Sequence, residues 1–430
     1  MKICIVGAGH VGLITGACFA ELGNQVICMD SDKSRVVSLK KSIMPFYEPG
    51  LKELVVKNVR KKRLRFTTNL QEAVKESLVI FIAVGTPPKA NGEADLTDIE
   101  RVAQSIAKCI PGYRLIVEKS TVPVETGKWV EHTIKTNIHG KKKFDVASNP
   151  EFLREGQAIE DSMHPDRIVL GVESKKAKQI LLQLYKPLQA PIIFTDIKSA
   201  EIIKHASNSF LATKISFINA IANICERVGA DVAKVAEGVG SDSRIGNRFL
   251  NAGCGYGGFC FPKDVEAFIQ ISEKKGYDFQ LLKAVKAINE EQKDILVKKI
   301  ESALWNLKGK TVGILGLSFK PGTDDLRFAP ALDIIEKLKM TGVKIQAFDP
   351  KAMAPAKKIL KGIKFCKDAY ETAKGSDCLV VLTEWDEFSK INLKKIKRLL
   401  KQPIIVDGRN IFNPQEMKKL GFSYFSIGRT

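Results

Sequence analysis

The amino-terminal residues form a short apolar strand, a glycine-rich loop, a helix pattern and a second strand in direct succession. KICIV at residues 2–6 precedes GAGHVG, where Gly7, Gly9 and Gly12 have the G-x-G-x-x-G spacing, and QVICMD ends in Asp30. The three glycines permit the tight turn, close approach of backbone to a pyrophosphate, and packing of the helix on the strand. The carboxylate at the end of the second strand accepts from ribose hydroxyls and repels a 2′-phosphate. The pattern therefore predicts a Rossmann domain that binds NAD rather than NADP.

Further apolar strands that end in small polar residues follow this unit. They are LVIFIAVGTPP (78–88), LIVEKSTVP (115–123) and DVASNPEFL (145–153). Continuous apolar runs separated by helix patterns are typical of parallel sheets covered on both faces. We expect a doubly wound sheet whose carboxyl-end loops form a ligand crevice.

The later chain repeats this scheme. The strand patterns are TVGILGLSFKPGTDD (311–325), VKIQAFDP ending near Asp349, CLVVLTEW (378–385) and PIIVDGRN (403–410). The first loop lacks the G-x-G-x-x-G spacing and carries Lys320 and Arg327, so we expect it to bind another phosphate-bearing ligand rather than a second NAD.

A helix pattern without proline or internal glycine runs from about Asp196 to Gly229, roughly 50 Å at the helical rise per residue. The predicted fold is α/β, with two Rossmann-like doubly wound domains joined by a central helical region with one long helix. The predicted domains are 1–195, 196–300 and 301–430. Lys204 and Asn208 lie four residues apart and share one face of the helix, but this spacing alone does not assign them chemistry.

Length, charge and cysteine content narrow the class of protein. A chain of 430 residues predicts two or three domains, and nine scattered cysteines without C-x-x-C pairs argue against disulfides and zinc, so no metal is expected. The formal net charge is +20, yet no nucleic-acid motif accompanies it, so we expect solvated lysine faces. The first residues enter a strand pattern and no apolar run approaches the ~20 residues of a membrane span, which predicts a cytoplasmic protein.

The stretch NAGCGYGGFCFPKD (251–264) places Cys260 between four glycines and the start of a helix led by Pro262. We expect Pro262 at the first helical position, so that the thiol lies at the positive end of the helix, where its pKa falls, with Lys263 nearby. The glycines are expected to let backbone approach a ligand closely. A thiolate beside an NAD site indicates covalent oxidation of an aldehyde through a thiohemiacetal and a thioester.

Several ordered motifs together resemble the UDP-glucose/GDP-mannose dehydrogenase family. Besides the two glycine-rich stretches, they are YEPGL (47–51), VGTP (84–87), STVP (120–123), SNPEFLREG (148–156), DRIV (166–169) and FKPGTDDLR (319–327). The resemblance implies a four-electron oxidation of UDP-glucose at C6 to UDP-glucuronate that consumes two NAD. It also implies a homodimer.

The resemblance implies catalytic roles for six residues. Cys260 would be the nucleophile, and Lys204 with Asn208 would stabilise the oxyanion. Asp264 would hold a water or pair with Lys204, while Thr121 and Glu151 would position or activate the hydrolytic water. Glu155, expected one helical turn from Glu151, is the alternative base.

The resemblance also implies the binding residues. Those for NAD are Gly7, Gly9, Val11, Gly12, Asp30, Arg35, Thr86, Thr121, Glu155, Lys263 and Arg327. Those for the nucleotide-sugar are Phe152, Leu153, Arg154, Glu155, Lys204, Asn208, Arg244, Phe249, Asn251, Gly253, Gly257, Phe319, Lys320 and Arg409, of which Arg244 would reach across a dimer.

One departure and several alternatives accompany this interpretation. Phe259 stands where the family usually has serine, and its ring is expected to narrow the sugar pocket. GDP-mannose and UDP-N-acetylhexosamine dehydrogenases share the cysteine, although Phe261 resembles the UDP-glucose branch. A two-electron hydroxyacid dehydrogenase would not need Cys260. A nonenzymatic NAD-sensing or nucleic-acid-binding protein is supported only by the charge.

Overall fold

The two halves that the strand patterns predict each form a sheet in the computed structural model, which describes residues 1–140 and 142–429. Internal contacts divide the chain into two units. The first contains residues 1–207 and 266–276, and the second contains residues 208–265 and those from 277 onward. The boundaries after residues 207 and 265 fall inside helices. The domain boundaries expected from the sequence stay a prediction.

The sheet of the first unit has eight strands. They are β1 (Lys2–Val6), β2 (Gln25–Met29), β3 (Leu64–Thr67), β4 (Val79–Ile82), β5 (Arg114–Glu118), β6 (Phe144–Ser148), β7 (Ile168–Val172) and β8 (Ile192–Thr195). Their order is β3-β2-β1-β4-β5-β6-β7-β8, and β6 pairs antiparallel with β7 while the other pairs are parallel.

Both faces of this sheet are buried, as the continuous apolar strands predict. Along β1, Ile3 and Ile5 pack into the core on one face, and Cys4 and Val6 pack into the core on the other. The covering helices are α1 (His10–Glu21), α2 (Lys33–Lys40), α3 (Leu51–Arg60), α4 (Leu70–Glu76), α5 (Thr97–Cys109), α6 (Thr126–Asn137), α7 (Ala158–Met163) and α8 (Lys175–Tyr185), which a 3₁₀ turn at Lys186–Leu188 follows.

A single long helix, α9 (Ile197–Val228), has 32 residues and ends one residue inside each predicted boundary. It starts where Asp196 accepts a hydrogen bond from the backbone N–H of Ser199. It ends at Gly229, whose φ of +76° lies in the left-handed region that glycine adopts without strain. The predicted long central helix is therefore confirmed.

The sheet of the second unit has six strands, all parallel. They are β9 (Thr311–Leu315), β10 (Lys344–Phe348), β11 (Lys364–Phe365), β12 (Cys378–Val381), β13 (Ile404–Asp407) and β14 (Ser423–Ser426). Their order is β11-β10-β9-β12-β13-β14, which is the order of the first six strands of the first unit. The predicted α/β class with two Rossmann-like sheets is confirmed.

Helices complete the second unit and the segments before it. They are α10 (Val232–Gly240), α11 (Cys260–Lys274), α12 (Gln280–Leu304), α13 (Pro330–Met340), α14 (Met353–Ile359), α15 (Ala369–Ala373), α16 (Asp386–Ser389), α17 (Leu393–Leu399) and α18 (Pro414–Lys419). Helix α11 begins at Cys260, so the expectation that Pro262 takes the first helical position is wrong by two residues. Within the described ranges, the chain contains no helix with the length and hydropathy of a membrane span.

Candidate active site

The loop after β1 has the geometry of a dinucleotide site. Gly7 has a φ of +100°, and a Cβ on Gly12 would lie 1.9 Å from the Gly7 carbonyl oxygen, so α1 can pack this closely only because both residues are glycine. A Cβ on Gly9 would meet no atom within 4 Å, so this part of the loop is open. Helix α1 follows at His10 and directs its N-terminal N–H groups toward the loop. These residues fit a bound pyrophosphate.

Asp30 lies directly beside this loop at the end of β2. Its Oδ2 accepts hydrogen bonds from the Ala8 backbone N–H at 2.8 Å and from Arg35 Nη1 at 2.8 Å. The Asp30 Oδ1 atom accepts from the Asp32 N–H at 2.9 Å. The structure therefore brings together two of the residues expected to bind NAD, and Val11 lies in the first turn of the adjoining helix.

Two other expected cofactor residues meet where β4 and β5 end. The buried Thr86 hydroxyl donates to the Thr121 carbonyl oxygen at 2.9 Å. The neighbouring Ser120 hydroxyl donates to the Val84 carbonyl oxygen at 2.8 Å. These bonds connect the two loops at the carboxyl edge of the sheet, the edge at which Rossmann folds bind ligands.

A buried ion pair joins two of the expected catalytic residues of the first unit. Lys204 Nζ lies 3.0 Å from Glu151 Oε1, and both side chains are almost fully buried. The Glu151 Oε2 atom accepts from the Leu153 N–H at 2.8 Å. The Phe152 ring lies 5.4 Å from Lys204 Nζ and 4.0 Å from the guanidinium carbon of Arg167.

The segment that carries Glu151 is a loop. Residues 151–157 contain no helix, so the expectation that Glu155 lies one helical turn from Glu151 is wrong. The physical reason is local hydrogen bonding: Glu48 accepts from the N–H groups of Gly156 and Ala158, and Gly156 has a φ of +81°. Glu155 itself is buried. Arg154 is exposed, and its guanidinium pairs with Asp161 at 2.6 Å.

The motifs did not assign a role to Lys119, although it is buried in the same part of the first unit. Its Nζ donates to Asn149 Oδ1 at 3.0 Å, and the Tyr185 hydroxyl donates to the same oxygen. Burial lowers the pKa of Lys119 to about 8. The signal in the sequence was a lysine placed between an apolar strand and the Ser-Thr pair of the STVP motif.

The second unit holds the nucleophile candidate and its surroundings. Cys260 is the first residue of α11, where the helix dipole favours an anion. One turn later, Asp264 Oδ1 lies 2.7 Å from Lys263 Nζ, and Asp264 Oδ2 accepts from Asn208 Nδ2 at 2.5 Å. Asp264 thus connects α11 with the long helix α9.

Phe259 packs against two cations. Its ring centroid lies 4.3 Å from the guanidinium carbon of Arg327 and 5.5 Å from Lys263 Nζ. Arg327 is held in place by Asp325, which accepts from its Nε at 2.9 Å and from its Nη2 at 2.6 Å. The structure therefore gathers both cations expected to bind the cofactor around the ring next to Cys260.

The glycines before Cys260 are required by packing within the second unit. A Cβ on Gly253 would lie 2.9 Å from the Gly408 carbonyl oxygen, and one on Gly257 would lie 2.2 Å from the Phe328 carbonyl oxygen. A Cβ on Gly258 would lie 2.7 Å from the Phe319 ring. The chain's own backbone and side chains thus require these glycines, and the expectation that they let a ligand approach closely stays a prediction.

Arg409 ties this glycine-rich loop to the second sheet. Its guanidinium donates to the carbonyl oxygens of Leu382 at 2.8 Å, Gly255 at 3.1 Å and Phe319 at 3.4 Å. Lys320 Nζ lies 5.6 Å from the Phe319 ring. Three expected substrate residues are therefore close to the glycine-rich loop.

Other expected substrate residues lie farther along the loop or point elsewhere. Phe249 has a φ of +67° and its ring faces Phe261 at 6.2 Å, while Asn251 is exposed. Arg244 is exposed and pairs with Asp242 at 2.6 Å. Among the residues that the structure describes, the polar contacts of Arg244 are with Asp242 and not with the glycine-rich loop.

The chain matches the UDP-glucose/GDP-mannose dehydrogenase family in three segments. The NAD binding domain matches residues 1–189, the central domain matches residues 198–291, and the UDP binding domain matches residues 313–414. These segments cover most of the chain.

Individual relatives match over all or nearly all of their length. UDP-glucose 6-dehydrogenase TuaD of Bacillus subtilis (strain 168) is 52% identical over 429 residues, 100% of this chain and 93% of the relative. UDP-glucose 6-dehydrogenase of Rhizobium meliloti (strain 1021) is 44% identical over 436 residues and covers 100% of both chains. The solved structure of a UDP-glucose dehydrogenase from the archaeon Pyrobaculum islandicum is 36% identical, with a TM-score of 0.93 over 100% of this chain and 98% of that one. The chain therefore belongs to the UDP-glucose/GDP-mannose dehydrogenase family and is an NAD-dependent oxidoreductase.

Proposed function

We propose that this protein oxidises UDP-glucose at C6 to UDP-glucuronate in a four-electron reaction that consumes two NAD per sugar. The observation that carries the proposal is Cys260 at the start of α11, with Lys263, Asp264 and Asn208 linked beside it. A two-electron alcohol dehydrogenase does not need a nucleophile. The names of the curated relatives support UDP-glucose as the substrate.

The first unit supplies the residues for the cofactor. The Gly7–Gly12 loop would hold the pyrophosphate, and Asp30 would accept from the ribose. Arg35, Thr86 and the other residues expected from the sequence stay proposals. NAD, when bound, accepts a hydride in each of the two oxidations.

Cys260 carries the second oxidation in this scheme. Its thiolate forms a bond to C6 of the aldehyde, which gives a thiohemiacetal, and loss of hydride from C6 leaves a thioester. Water then adds to the thioester carbonyl, the C–S bond breaks, and the thiolate is regenerated with the carboxylate product. The positive end of α11 favours the thiolate at both stages.

The polar residues around this chemistry divide into oxyanion donors and groups that handle protons. Lys204 and Asn208 would donate to the developing oxyanion. Glu151, which the Lys204 ammonium and the Leu153 N–H hold in one orientation, would receive a proton from the attacking water. Thr121 would position that water, and Glu155 remains the alternative base.

The nucleotide-sugar would bind chiefly to the second unit. Phe319, Lys320 and Arg409 lie at the ends of its strands near the glycine-rich loop. The matched UDP binding domain, residues 313–414, supports this assignment. The 152–155 loop would supply the remaining contacts.

The decisive experiment combines product mass with cofactor stoichiometry. Purified protein, NAD and UDP-glucose should give a product heavier by one oxygen and lighter by two hydrogens, with two NADH per product. Cys260→Ala should lose overall turnover by a factor of at least about 10³. Cys109→Ala, which removes a partly exposed thiol on α5, should retain full activity. One NADH per product, an active Cys260→Ala variant, or faster turnover of GDP-mannose would contradict the proposal.

We further propose that the protein is a homodimer that pairs through α9. Phe210, Phe217 and Ile224 recur every seven residues on this helix and are 65%, 51% and 54% exposed. Such a row of large apolar side chains on one face of a helix is typical of a covered surface.

The dimer can be tested by charge insertion. Phe217→Glu should convert the dimer to a monomer in light scattering, because a buried carboxylate without a partner opposes association. Leu182→Glu, at an apolar residue of similar exposure on α8, should leave the mass unchanged. A wild-type protein that is monomeric at micromolar concentration would overturn the dimer.

A further inference from the structure

Lys119 is a buried lysine with no role in the proposed chemistry so far. It follows β5 directly, and its backbone N–H donates to the Ile82 carbonyl oxygen at 2.9 Å. The residue is 9% exposed, and its Nζ donates to Asn149 Oδ1 at 3.0 Å. Lysine is rarely buried to this extent without a specific partner.

Hydrogen bonds hold both the side chain and the backbone of Asn149, so its Oδ1 atom holds the Lys119 ammonium in one position. Its Oδ1 also accepts from the Tyr185 hydroxyl, and its Nδ2 donates to the Val169 carbonyl oxygen at 2.9 Å. Its backbone N–H donates to the Glu118 carbonyl oxygen at 2.8 Å. The chain then continues through Pro150 to Glu151, so the ammonium of Lys119 is anchored next to the segment that carries the proposed base.

Lys119 interacts electrostatically with the Glu151–Lys204 pair. The Glu151 carboxylate pairs with the Lys204 ammonium at 3.0 Å. The charges of both side chains influence the pKa of Lys119. Burial is the main reason that the pKa of Lys119 is lowered to about 8. The Lys204 ammonium lowers this pKa further, whereas the Glu151 carboxylate raises it. Further ionisable groups on neighbouring segments are the buried Glu118 carboxyl next to Lys119 in the chain, the Tyr185 phenol on α8, and Arg167, whose guanidinium packs on the Phe152 ring.

We propose that Lys119 is a positioning residue whose positive charge keeps the Glu151–Lys204 pair ready to accept a proton. A proton leaves the substrate hydroxyl in the first oxidation, and another leaves the attacking water in the hydrolysis. A carboxylate or a neutral amine can take these protons. Below about pH 8, where Lys119 is charged, this additional cation favours both of those forms, because it opposes the addition of further positive charge to the pair. This inference rests on the proposed function.

The test is the pH dependence of kcat/KM for UDP-glucose in Lys119→Met, which keeps the side-chain length and removes the charge. Without the cation the pair takes up a proton more readily, so the acidic limb of the profile should move to higher pH by about one unit. Lys119→Arg keeps the positive charge, so the acidic limb of its pH profile should lie at the same pH as in the wild type. Lys108→Met, on the exposed face of α5, should change neither the limb nor the rate.

A purely structural role gives a different result. If Lys119 only anchors Asn149, then the methionine variant loses rate equally at every pH, and an unshifted limb overturns the proposal. Should that variant fail to fold, Lys119→Gln retains an amide donor for Asn149 and carries the same expected shift. A wild-type protein that makes no acid overturns the proposed function and this inference together. Normal wild-type turnover with an unshifted limb overturns the inference alone.

Discussion

At the scale of single residues, Phe259 places an aromatic face against two cations proposed for the cofactor. Phe259→Leu keeps most of the volume but removes the attraction between the ring and the cations Arg327 and Lys263. We expect KM for NAD to rise roughly two- to fivefold with little change in kcat, the size of one partly exposed cation–π contact. Steady-state kinetics with NAD varied at saturating UDP-glucose checks this.

The matched control retains the π face. Phe259→Tyr should keep KM for NAD within about twofold of the wild type, since its ring holds the cations equally well. If the leucine and tyrosine variants show the same KM, the ring contributes only volume. If the leucine variant alone lowers KM for UDP-glucose instead, the ring narrows the sugar pocket, as expected from the family's usual serine at this position.

The sequence predicted the site residues best where both residues of a pair lie on the same helix. Cys260 and Asp264 lie one turn apart on α11, and Asn208 follows Lys204 by one turn on α9, so the sequence spacing alone places the members of each pair together. Lys119 could not be found in this way. Its partner Asn149 lies 30 residues away on the neighbouring strand end, and a single sequence does not show which strands are adjacent.

At the scale of secondary-structure elements, β5 ends in a buried carboxyl group. Glu118 Oε1 accepts from the Ser120 N–H at 2.9 Å, while Oε2 is buried without a hydrogen-bond partner among the residues that the structure describes. Burial raises the pKa of Glu118 to about 8, and the Glu201 carboxylate adds to the shift. The native state therefore holds a proton that the unfolded chain releases at a lower pH.

This proton makes stability depend on pH. A folded-state pKa raised above 4.5 means that the stability is fully present below about pH 4.5 and is lost as the pH rises toward about 8. Glu118→Gln keeps the acceptor for Ser120 and removes the titration. Between pH 5 and 8.5 the wild type should lose on the order of 4 kcal/mol more unfolding free energy than the variant.

Urea denaturation at several pH values measures the difference. Equal slopes of stability against pH in the wild type and in Glu118→Gln would mean that Glu118 titrates normally in the folded protein. Glu131→Gln removes a partly exposed carboxylate that pairs with Lys135 on α6, so it serves as the control and should leave the slope unchanged.

Elements were predicted well where no residue interrupts the pattern and less well at their boundaries. Helix α9 was placed within one residue at each end because it contains neither proline nor glycine before Gly229. The start of α11 was misplaced because Pro262 fits within the first turn as well as at its first position, since no N–H there has a partner inside the helix. The strand pair β7 and β8 was not predicted, because short apolar runs near DRIV have no periodicity that distinguishes strand from helix.

At the scale of the whole molecule, the two units repeat one strand order but differ at the point that decides dinucleotide binding. Asp30 and Asp349 both follow the second strand of their sheet, and each accepts from the backbone of the loop after the first strand. In the second unit no helix begins behind that loop: α13 starts only at Pro330, whereas α1 starts three residues after Gly7. Among the described residues of this unit, no helix N-terminus therefore follows the first strand as closely as α1 follows β1, which is the arrangement that binds a pyrophosphate.

The carboxylate of Asp349 is also saturated. It is fully buried, and its oxygens accept from the N–H groups of Leu317, Ser318, Lys351 and Ala352. The Ser318 hydroxyl and the Trp385 indole N–H also donate to it. A carboxylate offers about four lone-pair sites, so none remains for a ribose.

The chain should therefore bind one NAD, not two, despite its two Rossmann-like sheets. Isothermal titration of the protein with NAD, without sugar, should give one equivalent per chain. Asp30→Ala should weaken that binding by at least about tenfold, because it removes the ribose acceptor and leaves the Ala8 N–H without a partner. Asp377→Asn, which changes an acidic residue of the second unit outside both loops, should leave the stoichiometry and affinity unchanged. A second equivalent that persists in Asp30→Ala would show that the second sheet has kept a dinucleotide site, and the saturation of Asp349 would then not prevent ribose binding.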